Sequence, residues 1–127
     1  LMRLTDTNVG LLFDTGHITF AGGNALAELK KHIGRVVHVH CKDVRENVMR
    51  KARNNDMSFL NAVLDGVFTV PGDGMIDFEP ILTLLAEHNY SGWLVVEAEQ
   101  DPAVAPSYEY AKKGYDCLAA LVRKINA

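Results

Sequence analysis

Hydrophobic and polar positions along this chain alternate between short apolar runs and longer segments of helical period. VGLLF at 9–13, VVHVHC at 36–41 and WLVVEA at 93–98 are short, largely apolar and bounded by turn residues or charges, and each predicts a strand. Asn24 caps a helix to about His32, with Leu26, Leu29 and Ile33 at helical spacing and Gly34 as its stop. Two helical pieces fall within 44–65. One is the polar ENVMRKAR; the other carries Phe59, Leu60, Val63 and Leu64 on one face. Asp77 caps a further helix to about His88, with Pro80 in its first turn, where a missing N–H costs little, and a buried stripe of Phe78, Ile81, Leu82 and Leu85. Ser107 opens the last helix, in which Ala111, Tyr115, Leu118, Val122 and Ile125 recur every three or four residues. Residues 18–23 and the segment GVFTVPGDG read as loops.

The order β-α-β-α-α-β-α predicts an α/β fold with a parallel sheet and right-handed crossovers. No repeat, linker or low-complexity tract divides residues 1–127, so a single domain is expected. Three parallel strands make a poor free-standing sheet, because such sheets want both faces covered. The chain also starts close to its first strand. It therefore reads as a partial domain, the C-terminal portion of a larger barrel whose N-terminal strands are absent. Two open sheet edges predict an oligomer, or association with the missing barrel half.

Composition narrows the function classes. With 48% hydrophobic and 23% charged residues, the chain looks like an ordinary globular protein. A net charge of −3 lacks the basic footprint of a nucleic-acid binder. No apolar run approaches the roughly 20 residues of a membrane span, and LMRLTDTN lacks the apolar core of a signal peptide. Neither nucleic acid nor membrane is expected as a partner. Cys41 and Cys117 show no metal or redox spacing, and a cytoplasmic setting is expected.

Strand side chains alternate in direction. Leu12 and Asp14 share one face of the first strand; His38, His40 and Lys42 share one of the second; Val95, Glu97 and Glu99 share one of the third. Val37, Val39 and Cys41 form the apolar face that helices would cover. Burying so many ionisable groups costs several kcal/mol unless they are paired or metal-bound. Asp14, His17, His40 and Glu97 sit at or just past strand ends, where α/β folds bind ligands, and their oxygen and imidazole donors suit Mn²⁺, Mg²⁺, Co²⁺ or Zn²⁺. Each also has a plainer explanation. Asp14 can cap a turn, and His17 can be a loop histidine. His38 fits a packed structural histidine. Lys42 and Asp43 can form a surface ion pair, and Glu97 or Glu99 can pair with a lysine. His32 and His88 sit at helix ends in solvent. PGDGMIDF lacks the Lys-Ser/Thr of a phosphate-binding P-loop.

Taken together, DTGH, HVHCKD, GDGMIDF and GWLVVEAEQDP resemble the xylose-isomerase-like TIM-barrel superfamily, over nearly the whole chain. Within it the likeness is closest to the dehydratases of inositol catabolism. The resemblance implies about three βα units of a (β/α)8 barrel with one divalent metal at its C-terminal face, Mn²⁺ or Co²⁺ before Mg²⁺ or Zn²⁺. The family draws Glu, Asp, His and Glu ligands from four successive strands. Carried over, the metal ligands are Asp14, His40 and Glu97; the first glutamate lies on a strand this chain lacks. The implied activity is that of a hydro-lyase, which removes water from a cyclic ketose, 2-keto-myo-inositol (scyllo-inosose), through a metal-stabilised enolate. His17, Lys42 and Glu99 are its acid–base candidates. His17, Lys42 and Asp43 are expected to contact substrate, with Asp43 orienting Lys42. The fragment by itself is expected to be inactive. A sugar-phosphate or ketose isomerase or epimerase on the same metal, and a non-catalytic barrel fragment, remain the alternatives. The family's three-zinc repair nucleases need histidines that are missing between His40 and His88.

Overall fold

A computed structural model describes residues 2–127. Its centre is a parallel sheet of β1 (Leu11–Asp14), β2 (Val36–Cys41) and β5 (Leu94–Val96), in the order β1-β2-β5. Helices α2 (Ala25–His32), α5 (Glu79–Glu87) and α6 (Ser107–Ile125) cover one face of it. Phe13, Leu29, Val39, Cys41, Ile81, Leu82, Leu85 and Leu118 form the buried core between sheet and helices. The α/β class and the parallel strands agree with the expectation from the pattern. The Asn24 side chain accepts from the Ala27 N–H at 2.9 Å, as its place before α2 implied.

Several local features differ from the sequence pattern. Thr15–Phe20 forms a short helix, α1, which takes in residues 18–20 of the segment expected to be loop. The Asp14 carboxylate nucleates it by accepting from the His17 N–H at 2.8 Å. Val37 does not join Val39 and Cys41 in the core. The β1–β2 register slips between Leu11 and Leu12, so Val37 is extra in the pairing and stands 62% exposed. The turn-rich segment contains β4 (Phe68–Thr69), which pairs antiparallel with β3 (Asp43–Val44). Helices α3 (Glu46–Asn54) and α4 (Phe59–Leu64) lie between them and pack on a second core of Val44, Met49, Ala52, Ala62, Val67 and Phe68. The β5 ladder is shorter than expected and leaves Trp93 exposed. At α5 the capping position is Phe78, and Asp77 accepts instead from the Glu79 N–H at 3.1 Å.

The buried stripe of α6 is also rotated. Gly114 and Leu118 are buried while Ala111 and Tyr115 face out. Gly114 allows this, because a Cβ there would fall 2.6 Å from Val96 Cγ1 and 3.0 Å from Val70 Cβ. Among the described residues no helix is long and apolar enough to cross a membrane.

Candidate metal centre

The sheet register brings the C-terminal ends of the strands level. Asp14 pairs with His40, and His40 with Val95, so Glu97 emerges two residues beyond the last of these. Donor atoms of Asp14, His40 and Glu97 all lie within 4.8 Å of one another. His40 Nδ1 is 3.5 Å from Asp14 Oδ2 and 3.2 Å from Glu97 Oε2. Asp14 serves two partners at once. Its Oδ1 caps α1, which fixes the carboxylate and leaves Oδ2 turned toward the other donors. The capping and ligand interpretations are thus compatible.

Lys42 reaches the same cluster from beneath. Its side chain is 1% exposed, and Nζ lies 3.0 Å from Glu97 Oε2, 3.3 Å from Glu99 Oε1 and 3.6 Å from Asp14 Oδ2. The His17 ring closes the group from α1, with Nε2 at 2.9 Å from Lys42 Nζ, 3.7 Å from Glu99 Oε1 and 4.0 Å from Asp14 Oδ2. His38 packs its ring edge-on against His40, with centroids 5.3 Å apart. Three carboxylates therefore face a single ammonium, an excess of negative charge that a divalent cation would neutralise. Glu97 Oε2 and Glu99 Oε2 are buried and accept no well-directed hydrogen bond among the described residues. Glu97 Oε2 already has the Lys42 ammonium at 3.0 Å as its charge partner, so what it lacks is a well-directed contact, which a bound cation would supply. The oxygen, nitrogen and oxygen donor set fits a hard or borderline divalent ion.

Two expectations at this site need correction. Lys42 and Asp43 do not form a surface ion pair, since both are buried. Nor does Asp43 join the substrate-facing group or orient Lys42. Successive strand residues point oppositely, and Asp43 turns away from the cluster. Its Oδ1 accepts from the Val44 and Ile76 N–H groups at 2.8 and 2.9 Å, and its Oδ2 from Gly74 at 3.1 Å. Burial pushes its carboxyl above the ordinary range, against those hydrogen bonds. Asp43 thus ties the GDGM loop to the end of β2.

Other contributors carried no motif. The buried Thr15 hydroxyl donates to the Lys42 carbonyl at 2.6 Å and receives the Lys42 N–H at 3.1 Å, which locks α1 onto β2. Phe59 and Phe68 flank His17, Phe20 packs on both of them, and Lys42 Nζ sits 4.8 Å from the Phe68 ring centroid. Arg45 crosses to Thr69 and Asp73 at 3.0 and 2.9 Å, and Lys113 also pairs with Asp73. That network braces the loop after β4. Helical spacing of Phe59 was visible in the sequence, but its partners lie on other elements.

Comparison with known proteins places this geometry in context. The family described as xylose isomerase-like TIM barrel matches residues 1–121. The rhizopine catabolism protein MocC of Rhizobium meliloti is 57% identical over 121 residues, 95% of this chain and 37% of that protein. An inosose dehydratase of Clostridium beijerinckii is 56% identical over 114 residues, covering 89% of this chain and 38% of the relative. One of Bacillus cereus is 54% identical over 114 residues, with the same coverage. The chain thus spans less than two-fifths of the length of the curated relatives it matches.

Proposed function

Because the chain belongs to the xylose isomerase-like TIM barrel family, we propose that it supplies three strands and most of the metal site of a divalent-metal-dependent dehydratase. Its substrate is a cyclic keto-polyol, 2-keto-myo-inositol (scyllo-inosose), and its setting is cytoplasmic inositol catabolism. The observation that carries this reading is the convergence of Asp14, His40 and Glu97, whose donor atoms all lie within 4.8 Å of one another. The relatives named as inosose dehydratases support the substrate class.

Asp14, His40 and Glu97 would hold the ion, Mn²⁺ or Co²⁺. When bound, the ion supplies a Lewis acid that polarises the ketone and steadies the charge left by proton loss. The chain's own groups do the remaining work. The His17 side chain is 42% exposed, so its imidazole can meet a substrate from the open side. An imidazole can either take or give a proton, so His17 suits an acid–base role. Lys42 Nζ is held by carboxylates at the back of the site and offers a donor to a developing oxyanion. Glu99 keeps one oxygen clear of Lys42, and as a carboxylate it can take the proton lost from the substrate and return it to the departing hydroxyl. Strands β1, β2 and β5 act as three βα units of the barrel, and the remaining strands pair along the open edges of β1 and β5.

The test is mass spectrometry of the complete protein with the cyclic ketose and Mn²⁺. Loss of one water from the substrate supports the proposal. Retention of substrate mass with a rearranged carbonyl would assign an isomerase or epimerase instead.

A further inference from the structure

We propose that Phe59 is the wall on which the ring of a cyclic polyol packs at this site. The inference deepens, and rests on, the reading of the site given above. Phe59 opens α4 directly after Ser58, whose hydroxyl caps the helix by accepting from the Asn61 N–H at 3.2 Å. That cap holds the first turn in place. Phe59 is nevertheless 49% exposed, beside the His17, Lys42 and Glu99 cluster.

Its contacts run straight to the ionisable cluster. The ring lies 5.9 Å from the His17 imidazole at an interplanar angle of 27°, a stacked pair. Phe20 meets it edge-on at 5.6 Å, and Phe68 lies 6.0 Å away. Phe68 is fully buried and sits under both His17, at 5.0 Å, and the Lys42 ammonium. The aromatic group thus runs without a break from the buried floor of the site to an exposed face. His17 is its junction with Lys42, Glu99 and Asp14.

Small-molecule sites combine an apolar wall with a few convergent polar groups. A cyclic polyol has both kinds of surface. Its hydroxyls project mainly around the rim, and its ring faces present C–H bonds that cannot hydrogen-bond. Asp14, Lys42, Glu97, Glu99 and the metal would serve the rim. A ring face needs a flat apolar partner, and the negative face of a phenyl ring attracts the slightly positive C–H hydrogens. Phe59 offers such a face at the edge of the cluster.

The experiment uses the complete, metal-loaded protein and myo-inositol, an unreactive cyclic polyol, as the probe. Saturation transfer from protein aromatic protons to the inositol C–H protons is expected in the wild type. Calorimetric binding should weaken roughly 5- to 10-fold in Phe59→Leu and stay within about two-fold in Phe59→Tyr, which keeps the ring. With the cyclic ketose, the same change should appear in KM while kcat holds, as expected for binding shared by ground and transition states. Absence of aromatic saturation transfer would overturn the proposal, whatever the fate of the variants. So would a fall in kcat at unchanged KM, which would make Phe59 a positioning residue for His17. Binding of inositol through Phe59 without dehydration of the ketose would sink the proposed reaction and leave the wall standing.

Discussion

Replacing Lys42 with Met removes one charge from the most enclosed part of the site while keeping a side chain of similar length. The stem has room only because residue 16 is glycine, since a Cβ there would fall 2.6 Å from Lys42 Cγ. In the metal-free protein the change strips Glu97, Glu99 and Asp14 of a cation at 3.0, 3.3 and 3.6 Å. Breaking a fully buried pair by removing one partner costs about 3–5 kcal/mol. The Glu97 and Glu99 side chains are 31% and 39% exposed, so water takes up part of the loss. A cost of about 2 kcal/mol remains. With metal bound, the ion supplies the missing positive charge, and the cost should fall below about 1 kcal/mol. Urea unfolding of wild type and Lys42→Met, with chelator and with saturating Mn²⁺, measures both values. An equal loss in the two states would refute the idea that ammonium and metal neutralise the same carboxylates.

The pH dependence of that difference has a definite sign. Burial pulls the Lys42 ammonium down, but Glu97, Asp14 and Glu99 outweigh it and hold the group above the ordinary lysine range. A base raised in the folded state gives its full stabilisation below its unfolded pKa, about 10.4, and loses it as pH rises through the folded value. The gap between the metal-free proteins should therefore be flat from about pH 6 to 9 and close at higher pH. A gap that widens with alkali would contradict the assignment.

Two further outcomes follow from the geometry. His17→Ala in the complete protein should lower the rate of the proposed dehydration by roughly 10²-fold, the scale of acid–base groups, with metal content unchanged; loss of the metal would make His17 a ligand. Burial, and after it the negative charge of Asp14, pushes the Cys41 thiol up to about 12, so peptide mapping after treatment with a thiol reagent near pH 8 should find Cys41 unlabelled until urea unfolds the protein, and rapid labelling in the native state would show that the β2 core opens readily.

Most of the sheet and three of its helices were legible because burial imposes period. Val39 and Cys41 face the core, and α2, α5 and α6 begin within two residues of their polar start signals. Departures arise where tertiary contact overrides local pattern. The bulge at Val37 depends on the register against β1, and the rotation of α6 depends on the close approach of Val96 to Gly114. Neither neighbour is near in sequence. The β3–β4 pair joins residues some 25 apart and carries too few residues to show alternation. At the site, strand alternation correctly places Asp14, His40, Lys42, Glu97 and Glu99 together. The same alternation should have turned Asp43 away. The period of two puts Lys42 and Asp43 on opposite faces of the chain. The aromatic ring group around His17 was not legible, since Phe20, Phe59 and Phe68 come from three separate elements.

The central claim is that Asp14, His40 and Glu97 hold one divalent ion. Elemental analysis of the complete protein after exposure to Mn²⁺ and gel filtration tests it directly. Asp14→Asn, His40→Ala and Glu97→Gln should each lose the ion while keeping a native circular dichroism spectrum, and Glu99→Gln, whose carboxylate faces Lys42 and His17, should retain it. Retention by Glu97→Gln together with loss in Glu99→Gln, or full metal content in all three ligand variants, would contradict the account.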